Sequence, residues 1–198
     1  MAVLSVNIGM QYDFIDPDGN YDLLYPYVKD KSLRRVIDIG GWWGPWSLWW
    51  QDKVQHIEIF EPNQQIIPKL KNNIKDLPNC TLHETALGDK SGKVSMDYVS
   101  HTGTYHIKDT NGLISLKTLD QYKFESVDII KIDAEGYEVP VLEGAKNTIL
   151  TNKPWIQIEG NKSGTRYGRT KLDIKNFLVD LGMTRVIKKW PDQVWTFR

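Results

Sequence analysis

At 198 residues, 40% of them hydrophobic, the chain is long enough to bury one core and too short for two comfortable ones. Its 25 basic and 25 acidic residues cancel, which excludes a global field steering it toward nucleic acid or an anionic membrane. A single cysteine, Cys80, excludes an internal disulfide and a multi-cysteine zinc site, and reads as a small buried hydrophobe.

Residues 1–34 alternate weakly around the turn cluster Pro17, Asp18, Gly19 and Asn20, and read as an N-terminal extension with a short helix over 22–28. They show no basic leader before an apolar run, and no later segment reaches the length of a membrane span, so a cytoplasmic protein without a membrane partner is expected. From Arg35 a strand and helix rhythm predicts one α/β domain over residues 35–198, a mostly parallel sheet with helices on both faces. The first strand, 35–39, breaks on glycines, and Pro45 starts a helix where its missing N–H costs nothing. A second strand over 56–60 precedes a helix opened by Pro62, with Ile66, Ile67, Leu70 and Ile74 at helical spacing. A third strand covers 80–85 and a short one 94–99, while the polar residues 100–111 read as a loop. Ser115 caps a short helix through Tyr122, followed by a strand over 127–132, a helix over 140–150 and a strand over 154–158. Residues 161–170 read as a solvated basic loop. A helix over 172–181 ends at Gly182, and 184–188 and 194–197 form a closing hairpin.

In an open parallel sheet, ligands sit beyond the carboxyl ends of the strands, near the point where strand order reverses. After the first strand stand Asp38, Gly40, Gly41 and Gly44, glycines that let the backbone turn sharply and approach a ligand. A dinucleotide site wants G-x-G-x-x-G, but with Gly41 and Gly44 in the last two places the first falls on Ile39. A carboxylate at this turn repels a pyrophosphate and attracts an ammonium or sulfonium group, which points to S-adenosyl-L-methionine. Glu61 ends the second strand beside Pro62, where an acid accepts hydrogen bonds from a ribose diol; a solvated carboxylate at a helix N-terminus is the plainer alternative. Thr85, Ala86 and Leu87 follow the third strand, Asp133 and Glu135 the fourth, and Glu159 the fifth. His101 and His106, in the polar loop, offer bases that titrate near neutrality. Trp42, Trp46, Trp49 and Trp50 recur at helical spacing and are expected to pack on the sheet, which leaves Trp43 for contact with cofactor or substrate. No spacing demands a metal, and none is expected.

Three motifs then stand in order: Thr118-Leu119-Asp120, the strand end KIDAEG over 131–136, and EVPVLEGA over 138–145. With VIDIGGWWG, FEPN at 60–63, ALGD at 86–89 and PWIQIE at 154–159, they make the chain resemble the FkbM family of class I methyltransferases over roughly residues 35–198. The family pattern has small or polar residues where Trp42 and Trp43 stand. The resemblance implies a Rossmann-like class I methyltransferase fold, a seven-stranded mostly parallel sheet ending in an antiparallel hairpin. It implies S-adenosyl-L-methionine as cofactor and, as partner, a small-molecule acceptor bearing a hydroxyl, a saccharide among the candidates. The cofactor would meet Asp38, Gly40, Trp43, Gly44, Glu61, Pro62, Ala86, Leu87 and Asp133, while Asp133, Glu135 and His101 would serve the acceptor. A carboxylate ordering the Gly136 turn is the other reading of Glu135. Two rival functions are an oxidoreductase binding NAD or a nucleotide sugar, and a non-catalytic module that binds S-adenosyl-L-methionine.

Overall fold

The computed structural model describes residues 20–99, 104–160 and 163–197. Helix α1 (Tyr25–Val28) leads into β1 (Leu33–Ile39), α2 (Pro45–Trp50), β2 (Val54–Phe60), α3 (Ile67–Ile74), β3 (Cys80–His83) and the short β4 (Ala86–Leu87). The hairpin β5 (Gly92–Val99) and β6 (Thr104–Lys117) follows, then a 3-10 turn (Leu119–Tyr122), β7 (Val127–Ile132), α4 (Glu138–Gly144), α5 (Lys146–Asn152) and β8 (Trp155–Glu159). After these come a second 3-10 turn (Ser163–Tyr167), α6 (Lys171–Asp180), β9 (Met183–Lys189) and β10 (Asp192–Phe197).

Seven strands make the main sheet, in the order β3-β2-β1-β7-β8-β10-β9. The first five of these run parallel, and β10 is antiparallel to both β8 and β9, as the closing hairpin required. Both faces are covered, which is why the strands are nearly continuous apolar runs. Ile37, Ile39, Ile130, Ile132, Ile156 and Ile158 pack toward α4, α5 and α6, whereas Val36, Ile57, Ile59 and Ile129 pack toward α1, α2 and α3. Trp46 and Trp50 of α2 are buried in the second layer, and the Trp50 indole N–H donates to the Tyr21 carbonyl at 3.1 Å. The chain moves from β1 outward to β2 and β3, then returns to β7 on the other side. The carboxyl ends of β1 and β7 are therefore the switch point.

Five local expectations are corrected. Residues 104–111 are strand, the first part of the fourteen-residue β6, and Ser115 lies within that strand. Its polar outer positions hid an inner alternation of Tyr105, Ile107, Ile114 and Leu116, and an irregular stretch opposite Val94 and Ser95 broke the period. The 3-10 turn is capped by Thr118, whose N–H donates to the Gln121 side chain at 3.2 Å. Pro62 does not open α3: the Asn63 side chain accepts the Gln65 N–H at 2.9 Å and its carbonyl accepts the Ile66 and Ile67 N–H groups, forming a turn first. Residues 138–152 are two helices broken at Ala145, and Trp42 precedes α2 instead of sharing its face.

Beside the main sheet, β4, β6 and β5 form a three-stranded sheet, with β4 parallel and β5 antiparallel to β6. It carries residues of both the third strand's exit and the hairpin over the carboxyl ends of β1, β2 and β7. Among the described residues, no helix is long and apolar enough to cross a membrane.

Candidate active site

A cavity of about 490 Å³ opens at the switch point, within the roughly 300–1,000 Å³ range of small-ligand clefts. Gly40, Glu61, Pro62, Ala86, Leu87, Asp133 and Glu135, all singled out from the sequence, line it together. Its floor is two abutting turns. Gly40 has φ +79°, and a Cβ there would overlap the Asp133 carbonyl oxygen, so glycine alone lets the β1 and β7 ends meet. The Asp133 N–H in turn donates to the Ile39 carbonyl at 3.0 Å.

Glu61 is buried at the end of β2, and its two carboxylate oxygens accept the N–H groups of Trp42 at 2.9 Å and Asn63 at 2.8 Å. Burial pushes its pKa up to about 7 against the pull of those two bonds. The Trp42 bond holds a backbone at φ +47°, an uncommon conformation for a bulky residue. That conformation puts Trp42, 39% exposed, into the cavity wall. Trp43 stands outside the lining, contrary to expectation: it stacks on Trp42 at 4.3 Å, lies under the Lys69 ammonium at 3.4 Å, and its carbonyl accepts from Asn73. Gly44 also lies outside, at the N-terminus of α2, facing the Leu70 side chain of α3.

Asp38 lies beneath the cavity instead of in its wall. It is fully buried, with one oxygen accepting the Ser47 hydroxyl at 2.7 Å and the other paired with the Lys131 ammonium at 3.1 Å. The cation expected from a ligand is thus supplied by the protein. Asp38 and Lys131 are direct partners across β1 and β7, and Lys131 also donates to the Gly40 carbonyl at 2.7 Å and stands 3.7 Å from Asp133. Burial alone would favour neutral Lys131, but Asp38 and Asp133 outweigh it and raise its pKa.

Glu135 has φ +52° and lines the cavity. Burial, with Asp133 and Glu138 nearby, pushes its pKa up to about 7, opposed by Arg166 and Lys131. The carboxylate that orders the Gly136 turn is Glu138, which accepts the Ala134 N–H at 3.1 Å and the Gly136 N–H at 2.8 Å and is itself pushed up to about 7 by burial. His101 falls outside the described residues. His106 lines the cavity, its Nδ1 is buried without a hydrogen-bond partner among the described residues, and burial plus Arg166 lower its pKa, favouring the neutral ring. Sequence reasoning missed Met96, Tyr105, Ile107 and Tyr137, which close the cavity. The alternation of Tyr105 and Ile107 was the available signal for two of them.

Among the described residues, the wall therefore carries three carboxylates, Glu61, Asp133 and Glu135, and no lysine or arginine. This donor set favours a cationic ligand. Glu61, Glu135 and Glu138 hold protons more tightly folded than unfolded, where carboxyl groups titrate near 4.5. Their contribution to stability is full below that value and is lost as pH rises through about 7. The melting temperature of the ligand-free protein is expected to fall across this interval, and substituting Glu135→Gln should flatten part of that fall in a calorimetric scan. Among the described residues, no group of three His, Cys, Asp or Glu side chains could hold a metal ion.

Comparison with known families matches residues 46–183 to the Methyltransferase FkbM domain. No curated protein matches the chain. Among solved structures, the methyltransferase FkbM of Methylobacillus flagellatus KT superposes with a TM-score of 0.61 at 20% identity, over 89% of this chain and 48% of its own. This chain thus spans about half the length of that protein. Precorrin 8w decarboxylase of Methanobacterium thermoautotrophicum gives 0.55 at 15% identity, over 90% and 89% of the two chains. The N-methyltransferase NodS of Bradyrhizobium japonicum WM9, solved with S-adenosyl-L-homocysteine, gives 0.51 at 11%, over 88% and 82%. At these identities the structural likeness establishes the fold.

Proposed function

The chain belongs to the FkbM methyltransferase family, and from that premise we propose that it is an S-adenosyl-L-methionine-dependent O-methyltransferase acting on a hydroxyl of a saccharide or other small metabolite. The observation that carries the cofactor is the wall of three carboxylates, without a basic side chain among the described residues, at the switch point of the sheet. Such a wall suits a ligand bearing ammonium and sulfonium charge and disfavours the pyrophosphate of a dinucleotide. When bound, the cofactor supplies a methyl group already activated on sulfur.

Of the chain's own residues, Glu61 would hold the ribose through the acceptor capacity its two backbone bonds leave, since each carboxylate oxygen has a second lone pair. Pro62, Ala86 and Leu87 would wall the base, and Asp133 would hold the ammonium. A hydroxyl acceptor must lose a proton, and Glu135 is the residue we assign to take it at its carboxylate. A group titrating near 7 is partly ionised at neutral pH yet basic enough to accept. Met96, Tyr105 and Ile107 line that end and would shield the bound acceptor from water. The cytoplasm fits such a reaction and remains part of the proposal.

Calorimetric titration tests the cofactor. S-adenosyl-L-methionine is expected to bind more tightly at pH 8 than at pH 6, by up to about tenfold per pH unit and per carboxylate that must ionise. S-adenosyl-L-homocysteine, lacking the sulfonium charge, should gain less. Absence of heat with either ligand would sink the proposal. Transfer of labelled methyl to a panel of sugars and small alcohols, abolished by Glu135→Gln with homocysteine-ligand affinity retained, tests the base. A protein that binds the cofactor and never turns it over would be the non-catalytic module instead.

A further inference from the structure

The Ser163–Tyr167 turn, expected as a solvated loop, touches three walls of the cavity. The Arg166 guanidinium donates to the Glu135 carbonyl at 3.2 Å. Gly136, at φ +101°, lies against the turn so closely that a Cβ would press on the Ser163 carbonyl carbon at 2.5 Å. The Tyr167 hydroxyl donates to the Ile107 carbonyl of β6 at 2.7 Å, and its ring meets Tyr137 edge-on at 4.9 Å. The turn is itself fastened: the Arg169 N–H donates to the Gly164 carbonyl at 3.0 Å, and the Arg169 side chain pairs with Glu143 of α4 at 2.9 Å. A single short element thus joins the covering strand, the 135–136 turn and α4.

Glu135, a non-glycine residue at φ +52°, holds a left-handed backbone that persists only where surrounding contacts over-determine it, and Gly136 beside it, at +101°, adopts its conformation freely. We propose that the Ser163–Tyr167 turn is a clamp on the acceptor end of the cavity and that Arg166 is the positioning residue for Glu135. The inference rests on the role of Glu135 as base. Arg166 grips the Glu135 carbonyl and so fixes the backbone from which the carboxylate reaches the cavity wall. Among the described residues no carboxylate pairs with its guanidinium, which lies 5.9 Å from the Tyr167 ring centre, and its charge bears on Tyr167, Glu135 and His106. The groups facing Glu135 are Asp133 and Glu138, which favour its proton, and Arg166 and Lys131, which oppose it. Removing Arg166 loosens the turn and shifts the balance toward the protonated carboxyl.

The test is carboxyl-¹³C nuclear magnetic resonance on protein labelled at glutamate, with the Glu135 signal identified by its loss in Glu135→Gln. Arg166→Met is expected to raise the titration midpoint of Glu135 by about half a pH unit or more, and Arg166→Lys to restore most of it, with melting temperatures unchanged. A midpoint unmoved in folded Arg166→Met overturns the clamp. A wild-type midpoint in the ordinary carboxylate range overturns the base reading instead, and the displacement on Arg166→Met still decides the clamp. Should Arg166→Met not fold, amide hydrogen exchange in Tyr167→Phe provides the decision. Faster exchange over both 105–107 and 134–136 is expected, and exchange unchanged in both would refute the coupling.

Discussion

Lys131→Met is expected to lower stability by about 3–5 kcal/mol, the range found when one partner of a buried ion pair is removed. Asp38 has no solvent exposure, and among the described residues the Ser47 hydroxyl would remain its sole side-chain partner. The same substitution frees the Gly40 carbonyl, held at 2.7 Å by the ammonium, at a glycine whose backbone touches the Asp133 carbonyl. For a domain of this length the loss corresponds to a fall in melting temperature on the order of 10 °C. A double-mutant cycle separates charge from packing. Asp38→Asn with Lys131→Met should recover part of the loss, because the stranded carboxylate is then absent. If Lys131→Met unfolds within about 1 kcal/mol of the natural protein by urea titration, the ammonium is not what balances Asp38.

Glu61→Ala is expected to weaken S-adenosyl-L-methionine binding on the order of a hundredfold. Hydrogen bonds to a charged group are worth about 1.5–3 kcal/mol each, and about 1.4 kcal/mol is a factor of ten. The substitution removes the acceptor proposed for the ribose and also strands the N–H groups of Trp42 and Asn63, both now satisfied by the carboxylate. Trp42, at φ +47°, would lose the bond that holds its indole in the cavity wall. Glu61→Gln keeps one carbonyl acceptor and should fall between the two. Because Glu61 titrates near 7, the gap between natural protein and Glu61→Gln should widen as pH rises. Calorimetry at pH 6 and 8 measures both, and undiminished affinity in Glu61→Ala would remove Glu61 from the site.

The two predictions probe different layers. Lys131 acts below the cavity, so its loss should appear chiefly in unfolding. Glu61 acts in the wall, so its loss should appear chiefly in binding. Arg166 acts from outside, through the backbone of Glu135, and its loss should appear in a titration curve with stability intact.

The main sheet was legible in the sequence because its information is local. Apolar runs at 35–39, 56–60, 127–132 and 154–158, each ended by an acid or a glycine turn, define buried parallel strands whatever else the chain does. The same runs placed Glu61, Asp133 and Glu135 at carboxyl strand ends, and motif order identified the family. The β6 strand was masked in the sequence, since the short alternation of Tyr105 and Ile107 stands among polar residues and the ladder that pairs 104–109 with β5 breaks before Ile114. Nor was the partner of Asp38. Lys131 lies 93 positions along the chain and meets it because the return from β3 to β7 sets those two residues side by side in register. Helical spacing pointed to Trp43, but α2 begins only at Pro45, so the period does not reach Trp42; the Glu61 carboxylate, by capturing the Trp42 N–H, turned that residue into the wall and left Trp43 beneath Lys69. The sequence by itself determined which elements form and which acids end them. Only the tertiary structure decided which carboxylates are neutralised by the protein and which remain for a ligand, because that depends on pairings between segments far apart in the chain.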